Sequence, residues 1–545
     1  MQFNAIAPVF QAMIEYPYEE AGVCRSPSHT FNFGQGACQI DYLGGTLNPV
    51  PESATDHDPS WIGVALGVAA LFTLVIPLFE VGKTLMRPSP DDFEFKGSLC
   101  SELPRDIHVL TVKYLGTRDL LAMRLVSLEL KAVAEMELID RLNSGTMSPK
   151  DLQIHSLPAL AEYFGTQAKR ITRIRYEDVK QEFKVELLSL FPKLKELDLT
   201  GCDCVDTLSF LEDYPHLTHL NLGKCKQITD FSFLERCLHL TYLGLGSCNQ
   251  ITHLSFLKYC PNLTHLHLHN CREITDFSSL EHCPHLTHLD LGWCHQIADF
   301  SFLERCPHLI YLDLTACRQI TDFSFLDLCP NLTYLDLGRC EQITDFSFLE
   351  RCLHLTHLVL AGCYQISNLS FLKYCPHLTL LDLGNCDKIT DSSFLKRCPN
   401  LIHLNLWNCW GITDFSFLQH CAQLTHLGLW GCRQITDLSF LEYCPHLTHL
   451  DLGRCYQVTY FSLLGYCPQL THLGLEGLSQ ITDSNAYRYM MGFGQTSNFS
   501  LLEYCPDLTH LDLGDCSQIT NFSFLQHCPN LKSYSSGGYR EWLKI

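Results

Sequence analysis

The sequence predicts an α/β solenoid, a stack of short turns that share one hydrophobic core. Three observations predict it. The pattern L-x-x-L-x-L begins at Leu194 and returns every 23 residues as far as Leu470. The cysteines keep the same period. Thirteen stand three residues after the last leucine of the pattern (Cys202 to Cys455, then Cys516), and thirteen stand three residues before the next turn opens (Cys237 to Cys467, then Cys505 and Cys528). Finally, 23 residues hold one short strand and a return segment but no long helix. A unit of that size cannot bury its leucines alone, so neighbouring turns must stack and form a continuous parallel sheet.

Numbering each turn from its first leucine, the consensus is LTHLDLGxCxQITDFSFLExCPH. Positions 1–7 alternate and read as a strand with leucines inward. The ITDFSFLExC segment reads as a turn with a short helical or 3₁₀ stretch on the convex side. The cysteines at positions 9 and 21 fall on the core side, as small buried thiols with no need of oxidation. Worn copies begin at Ile171 and Leu531. The copy at Leu508 is displaced by a 15-residue insertion, 484–498.

Over 171–545 the chain resembles the leucine-rich-repeat family, in particular its cysteine-containing branch, on the recurrent L-x-x-L-x-L-x-x-C. The resemblance implies a horseshoe whose concave face is the sheet and whose function is recognition. Outward positions there are His288, His403, His426 and His449 with Tyr311 and Tyr334 at position 3, and Asp290, Asp313, Asp336 and Asp451 at position 5. Trp407 and Trp430 at position 7 and Trp293, Arg339 and Arg454 at position 8 add the aromatic and guanidinium groups that commonly anchor protein interfaces. These fifteen residues are the candidate surface for an unidentified target protein. In CPHLTHLDLGWC (283–294), Cys283 and Cys294 point inward and His288 outward, so the stretch is not a zinc shell. No metal site or cofactor is assigned.

Upstream, residues 98–140 read as a small helical module and 141–170 as a helical linker or cap. Leu103-Pro104, Tyr114-Leu115, Asp119-Leu120-Leu121 and Arg124-Leu125-Val126-Ser127 are similar to an F-box, the segment that docks on the Skp-type adaptor of cullin–RING ubiquitin ligases. The resemblance makes Leu103, Pro104, Ile107, Leu110, Leu115, Leu120, Val126 and Ser127 the adaptor-binding candidates. A plain N-terminal cap for the repeats is the alternative. Trp61–Phe79 is an uncharged 19-residue run, long enough as a helix, at about 28 Å, to cross a bilayer. With Lys83 and Arg87 following it, the expectation is a single-pass membrane protein whose repeats face the cytosol. Residues 1–60 lack periodicity and read as disordered or loosely folded.

The formal charge of −21 on 545 residues argues against nucleic-acid binding, which needs Lys and Arg to neutralise phosphate. No phosphate loop, H-E-x-x-H or G-x-S-x-G motif stands out. The resemblances together imply a non-catalytic subunit of a ubiquitin ligase complex that selects the target. Proteins of this kind occur in eukaryotes and as host-directed effectors of intracellular bacteria. Two alternatives stay open: a membrane-attached binding protein unconnected to ubiquitin, and an enzyme using the off-register Cys100 or Cys204.

Overall fold

The computed structural model describes residues 112–478, apart from 114, 125–127, 182, 203–204, 206 and 459–460, and additionally 29–33, 36–40, 47–49, 502, 505–516, 528–536 and 543–544. It divides into two units, 1–151 and 152–545.

In the first unit, β1 (His29–Phe33), β2 (Gly36–Ile40) and β3 (Leu47–Pro49) form an antiparallel meander. Then come α1 (Thr117–Met123) and α2 (Leu128–Ser144). α2 buries Leu130, Val133, Ala134, Leu138 and Leu142, a spacing of three and four residues that makes one apolar face. Two arginines fasten the pair. The Arg124 guanidinium donates to the buried Glu135 at 2.8 Å, and Arg141 Nη2 donates to the Leu115 carbonyl at 2.7 Å.

The membrane-spanning helix expected over 61–79 is corrected here, and with it the single-pass placement and the membrane contact. Among the described residues no helix is long and apolar enough to cross a membrane, and 61–79 lies outside them. An uncharged run meets the hydropathy requirement alone, whereas a span also requires about 20 residues of continuous helix.

The second unit opens with α3 (Leu157–Phe164), capped by the Ser156 hydroxyl, which accepts from the Ala159 N–H. Arg173–Arg175, in the worn copy, is the first strand of a parallel sheet of fifteen strands that runs in sequence order to His510–Leu513. Ser533–Ser536 adds in parallel and Leu543–Lys544 turns back antiparallel. Register is constant, so Leu289 faces Leu312 and Leu312 faces Leu335. Strand His472–Gly474 pairs directly with His510–Leu513, so the longer spacing there leaves the sheet unbroken. The insertion itself, 484–498, lies outside the described residues.

One turn shows how the sequence packs. Leu286, Leu289, Leu291, Cys294, Ile297, Leu303 and Cys306 are each at most 1% exposed. On the convex side Asp299 Oδ1 accepts the Ser301 N–H at 2.9 Å and starts the 3₁₀ turn Ser301–Arg305. Phe300 then stacks on Phe325 of the next turn with ring centroids 3.9 Å apart. The position-9 thiols do more than fill space. Cys294 Sγ donates to the Leu268 carbonyl at 3.2 Å and Cys317 Sγ to Leu291 at 3.2 Å. Each bond takes the second lone pair of a carbonyl that already accepts a backbone N–H (Cys271 N to Leu268 O, 3.1 Å). An S–H···O bond contributes about 0.5 kcal/mol, and it recurs in turn after turn. Burial pushes both thiol columns up, away from the reactive thiolate.

Candidate functional site

The fifteen candidate surface residues all lie on or beside the concave sheet and are half-buried, except Arg339, which is exposed. Position 3 forms two files, separated by Leu380. His288 stacks on Tyr311 at 5.6 Å and Tyr311 on Tyr334 at 4.2 Å. Further on, His403, His426, His449 and His472 follow at 4.0, 3.9 and 3.9 Å.

The threonine before most of these histidines sets their chemistry. Thr448 Oγ1 donates its single proton to the Thr425 carbonyl at 3.2 Å and stands 2.9 Å from His449 Nδ1. With that proton committed, the hydroxyl can only accept from His449, so Nδ1 carries the hydrogen and Nε2 is a bare acceptor. The same pair of bonds recurs at Thr287–His288, Thr425–His426 and Thr471–His472. Ile402 precedes His403 and cannot make it. Burial, with the neighbouring histidines, lowers His449 and His472 to about 4. The file is therefore neutral at pH 7 and presents acceptors.

Position 5 carries a file of carboxylates. Asp290, Asp313 and Asp336 are directly opposite one another on successive strands. Burial pushes Asp290 up, but the imidazoles of His267 and His269 and the Gly292 N–H more than offset this and hold it at about 2. Asp313 is raised by burial and by Asp290. Asp336 rises to about 7 through burial and the Asp313 charge. Like charges at strand spacing cannot all ionise freely. In the later turns the file is broken by Asn405, Gly428 and Gly474.

Position 8 has a left-handed backbone, with φ of 62° at Trp293, 59° at Arg339 and 55° at Arg454. The cause is the exit from the strand. Trp293 N donates to Thr315 O at 2.6 Å, one step beyond the sheet, and Cys294 N then folds back to Leu291 O at 3.1 Å. A non-glycine residue there costs about 1 kcal/mol. The side chains it projects meet one another: the Arg339 guanidinium lies 5.5 Å from the Trp293 ring across the buried Ala316. Arg454 lies 4.8 Å from Trp430 and pairs with Glu476 at 3.1 Å. Trp430 Nε1 donates to the same carboxylate at 3.3 Å. Trp407 and Trp430 are edge-to-face at 6.4 Å. Sequence reasoning missed Glu476 along with His267 and His269, although HLHLHN (265–270) places histidines on the outward alternation.

Of the adaptor-binding candidates, Leu120 is fully buried and Leu115 half-buried. Leu103, Pro104, Ile107, Leu110, Val126 and Ser127 lie outside the described residues, as do Cys100 and Cys204.

Two family models match parts of the repeat array. The family described as Leucine Rich repeats (2 copies) matches residues 261–305, 307–351 and 399–443. A second, Leucine Rich repeat, matches 215–230, 374–393 and 443–455. No curated protein matches. Among solved structures, an internalin (inlF) from Listeria monocytogenes is 25% identical, covering 66% of this chain and 90% of its own, with a TM-score of 0.40. A leucine-rich-repeat protein of Leptospira interrogans is 16% identical, with coverages of 67% and 94% and a TM-score of 0.45. The functional domain of InlJ from Listeria monocytogenes, described as including a cysteine ladder, is 20% identical, with coverages of 67% and 72% and a TM-score of 0.37.

Proposed function

Because the chain is a leucine-rich-repeat protein, a fold suited to holding protein partners, we propose that it is a non-catalytic receptor. In this reading its concave face binds a target protein, and residues 98–140 deliver that target to a cullin–RING ubiquitin ligase through a Skp-type adaptor. The observation that carries the first half is the pair of acceptor files, neutral imidazole Nε2 atoms beside aspartates, flanked by the Trp293–Arg339 and Trp430–Arg454 anchors. Such a surface suits a partner rich in Lys, Arg and amide donors, and a formal charge of −21 speeds the encounter. The second half rests on the F-box-like residues. Its mechanism is proximity, which raises the concentration of target beside a charged conjugating enzyme without any bond made by this chain.

Affinity capture of the full chain from cells separates the two halves. The double variant Leu103→Ala/Pro104→Ala is expected to lose the adaptor and keep the target. Trp430→Ala with Arg454→Ala is expected to do the reverse. If the unaltered chain captures no adaptor, the ligase role fails and the chain is a binding or scaffold protein unconnected to ubiquitin. If the tryptophan–arginine variant captures its target undiminished, the concave face is not the binding surface.

A further inference from the structure

One cluster on the concave face joins two carboxylates of the partner-binding surface to imidazoles outside it. His269 Nδ1 stands 3.6 Å from Asp290 Oδ1, and His267 Nδ1 stands 3.5 Å from the other oxygen of the same carboxylate. His269, Asp290 and Asp313 each offer one donor atom, and the three atoms lie within 4.8 Å of one another. The space between them is open because residue 292 is glycine. A methyl carbon built on Gly292 would sit 2.8 Å from His269 Nδ1, 3.2 Å from Asp313 Oδ1 and 3.3 Å from Asp290 Oδ1. Nitrogen and oxygen donors from three successive turns thus converge on one vacant point.

The 3.6 Å between His269 and Asp290 suits a pair of ligands better than a hydrogen bond. An N–H···O bond is usually about 2.7–3.2 Å long. Two donors bound at about 2.1 Å to one tetrahedral cation stand roughly 3.4 Å apart. Asp290 and Asp313 are directly opposite each other on adjacent strands, and a dication in the gap would offset the repulsion between their carboxylates. The donors are also already oriented: Asp313 Oδ1 accepts from the Thr315 N–H and hydroxyl at 2.8 and 2.7 Å.

We propose that His269, Asp290 and Asp313 form a binding site for a divalent first-row transition cation on the concave face. One imidazole and two carboxylates suit Zn²⁺, Co²⁺, Mn²⁺ or Fe²⁺. Three protein ligands leave at least one coordination position open toward the bound partner or water. The neighbouring thiols of Cys271 and Cys294 are buried on the core side of the sheet and take no part. The site is a property of the isolated chain and stands or falls separately from the receptor role.

The test is titration of the full chain with Co²⁺, followed by visible absorption, and then competition with Zn²⁺. One equivalent is expected to bind, with ligand-field bands of nitrogen and oxygen coordination and no thiolate charge-transfer band. His269→Ala and Asp313→Asn should each weaken binding at least tenfold. Gly292→Ala should do the same while keeping every ligand, because its methyl fills the gap. Asp313→Asn is nearly isosteric and keeps the test valid should Gly292→Ala unfold. His472→Ala, in the stacked file, should leave the titration unchanged. Absence of binding, binding that survives Asp313→Asn and His269→Ala, loss on His472→Ala, or a thiolate band would each overturn the proposal.

Discussion

The concave faces of turns 286–354 and 401–474 are built from the same 23-residue tile yet differ in electrostatic character. In the earlier stretch Asp290, Asp313 and Asp336 stand in unbroken file beside tyrosines, and the outermost carboxyl is driven up to about 7. In the later stretch Asn405, Gly428 and Gly474 leave Asp451 as the single carboxylate of the file, and the histidines stack from turn to turn. The lesson is that a repeat fixes where a side chain points, while its neighbours one turn away decide its charge. A consensus position is therefore not a consensus chemistry.

The largest effect should come from forcing the later stretch to resemble the earlier one. Gly428→Asp would set a second carboxylate directly beside Asp451, but its Cβ would sit 2.5 Å from Asn405 Oδ1. It would also bring carboxylates together in a half-buried row. A loss of about 2–4 kcal/mol is expected, read as a lowered urea midpoint. A midpoint within error of the unaltered chain would mean that the spacing of carboxylates has no structural cost.

Next in size is the removal of the strained charge from the earlier stretch. The Asp336 carboxyl is raised in the fold from 3.8 to about 7, so the folded chain holds a proton that the unfolded chain releases. Its contribution to stability is full below pH 4 and falls as pH rises through 7. Asp336→Asn should stabilise the protein by about 1–3 kcal/mol above pH 7, after discounting for solvent screening, with the gain fading below pH 4. Denaturant melts at pH 4, 6 and 8 test this, and a gain independent of pH would exclude the charge as its cause.

The histidine file should respond to acid in the opposite sense. His449 and His472 are lowered from 6.5 to about 4, so the unfolded chain takes up protons first as pH falls. Stability from these residues is present above pH 6.5 and is lost as pH drops toward 4. Amide exchange, corrected for its intrinsic pH dependence, should show strands His426–Gly428 through His472–Gly474 losing protection between pH 6.5 and 4.5 while Tyr334–Asp336 gains it. Uniform behaviour of both stretches would refute the distinction.

The smallest change sharpens the comparison at one residue. Ile402→Thr would supply the hydroxyl that His403 lacks and should place its hydrogen on Nδ1. A gain of about 0.5–1 kcal/mol is expected. Imidazole nitrogen shifts should come to match those of His426. An unchanged His403 tautomer would show that the preceding threonine does not control it.

Much of this architecture could be read from the chain, because period and pattern are long-range statistics repeated a dozen times. The strand, the convex 3₁₀ turn and both buried cysteine columns follow from Leu, Ile and Cys recurring on the inward alternation. What escaped the reading depends on single neighbours. Position 8 does carry a trace, since Gly201, Asn270, Gly362, Asn385, Asn408, Gly431, Gly477 and Asp515 tolerate a left-handed backbone, but Lys224, Ser247, Trp293, Ala316, Arg339 and Arg454 among them obscure it. The thiols read as small apolar groups because a donor role appears only when the preceding turn's carbonyl is in place. His267, His269 and Asp313 converge only after three turns are stacked around Gly292. The run 61–79 shows the converse: composition alone suggested a helix, and no described helix answers to it.

The thiol bonds of the core reach back 26 residues in one turn after another, and each file of side chains advances one turn at a time. Nothing in that pattern counts the turns. Out-of-register recombination between near-identical gene segments could therefore excise or duplicate a whole 23-residue unit and leave every remaining joint intact. Deleting residues 309–331, one full tile, should yield a shorter folded array rather than a broken one. The curved face would then be an evolutionary variable of adjustable length, its charge pattern rewritten at each splice.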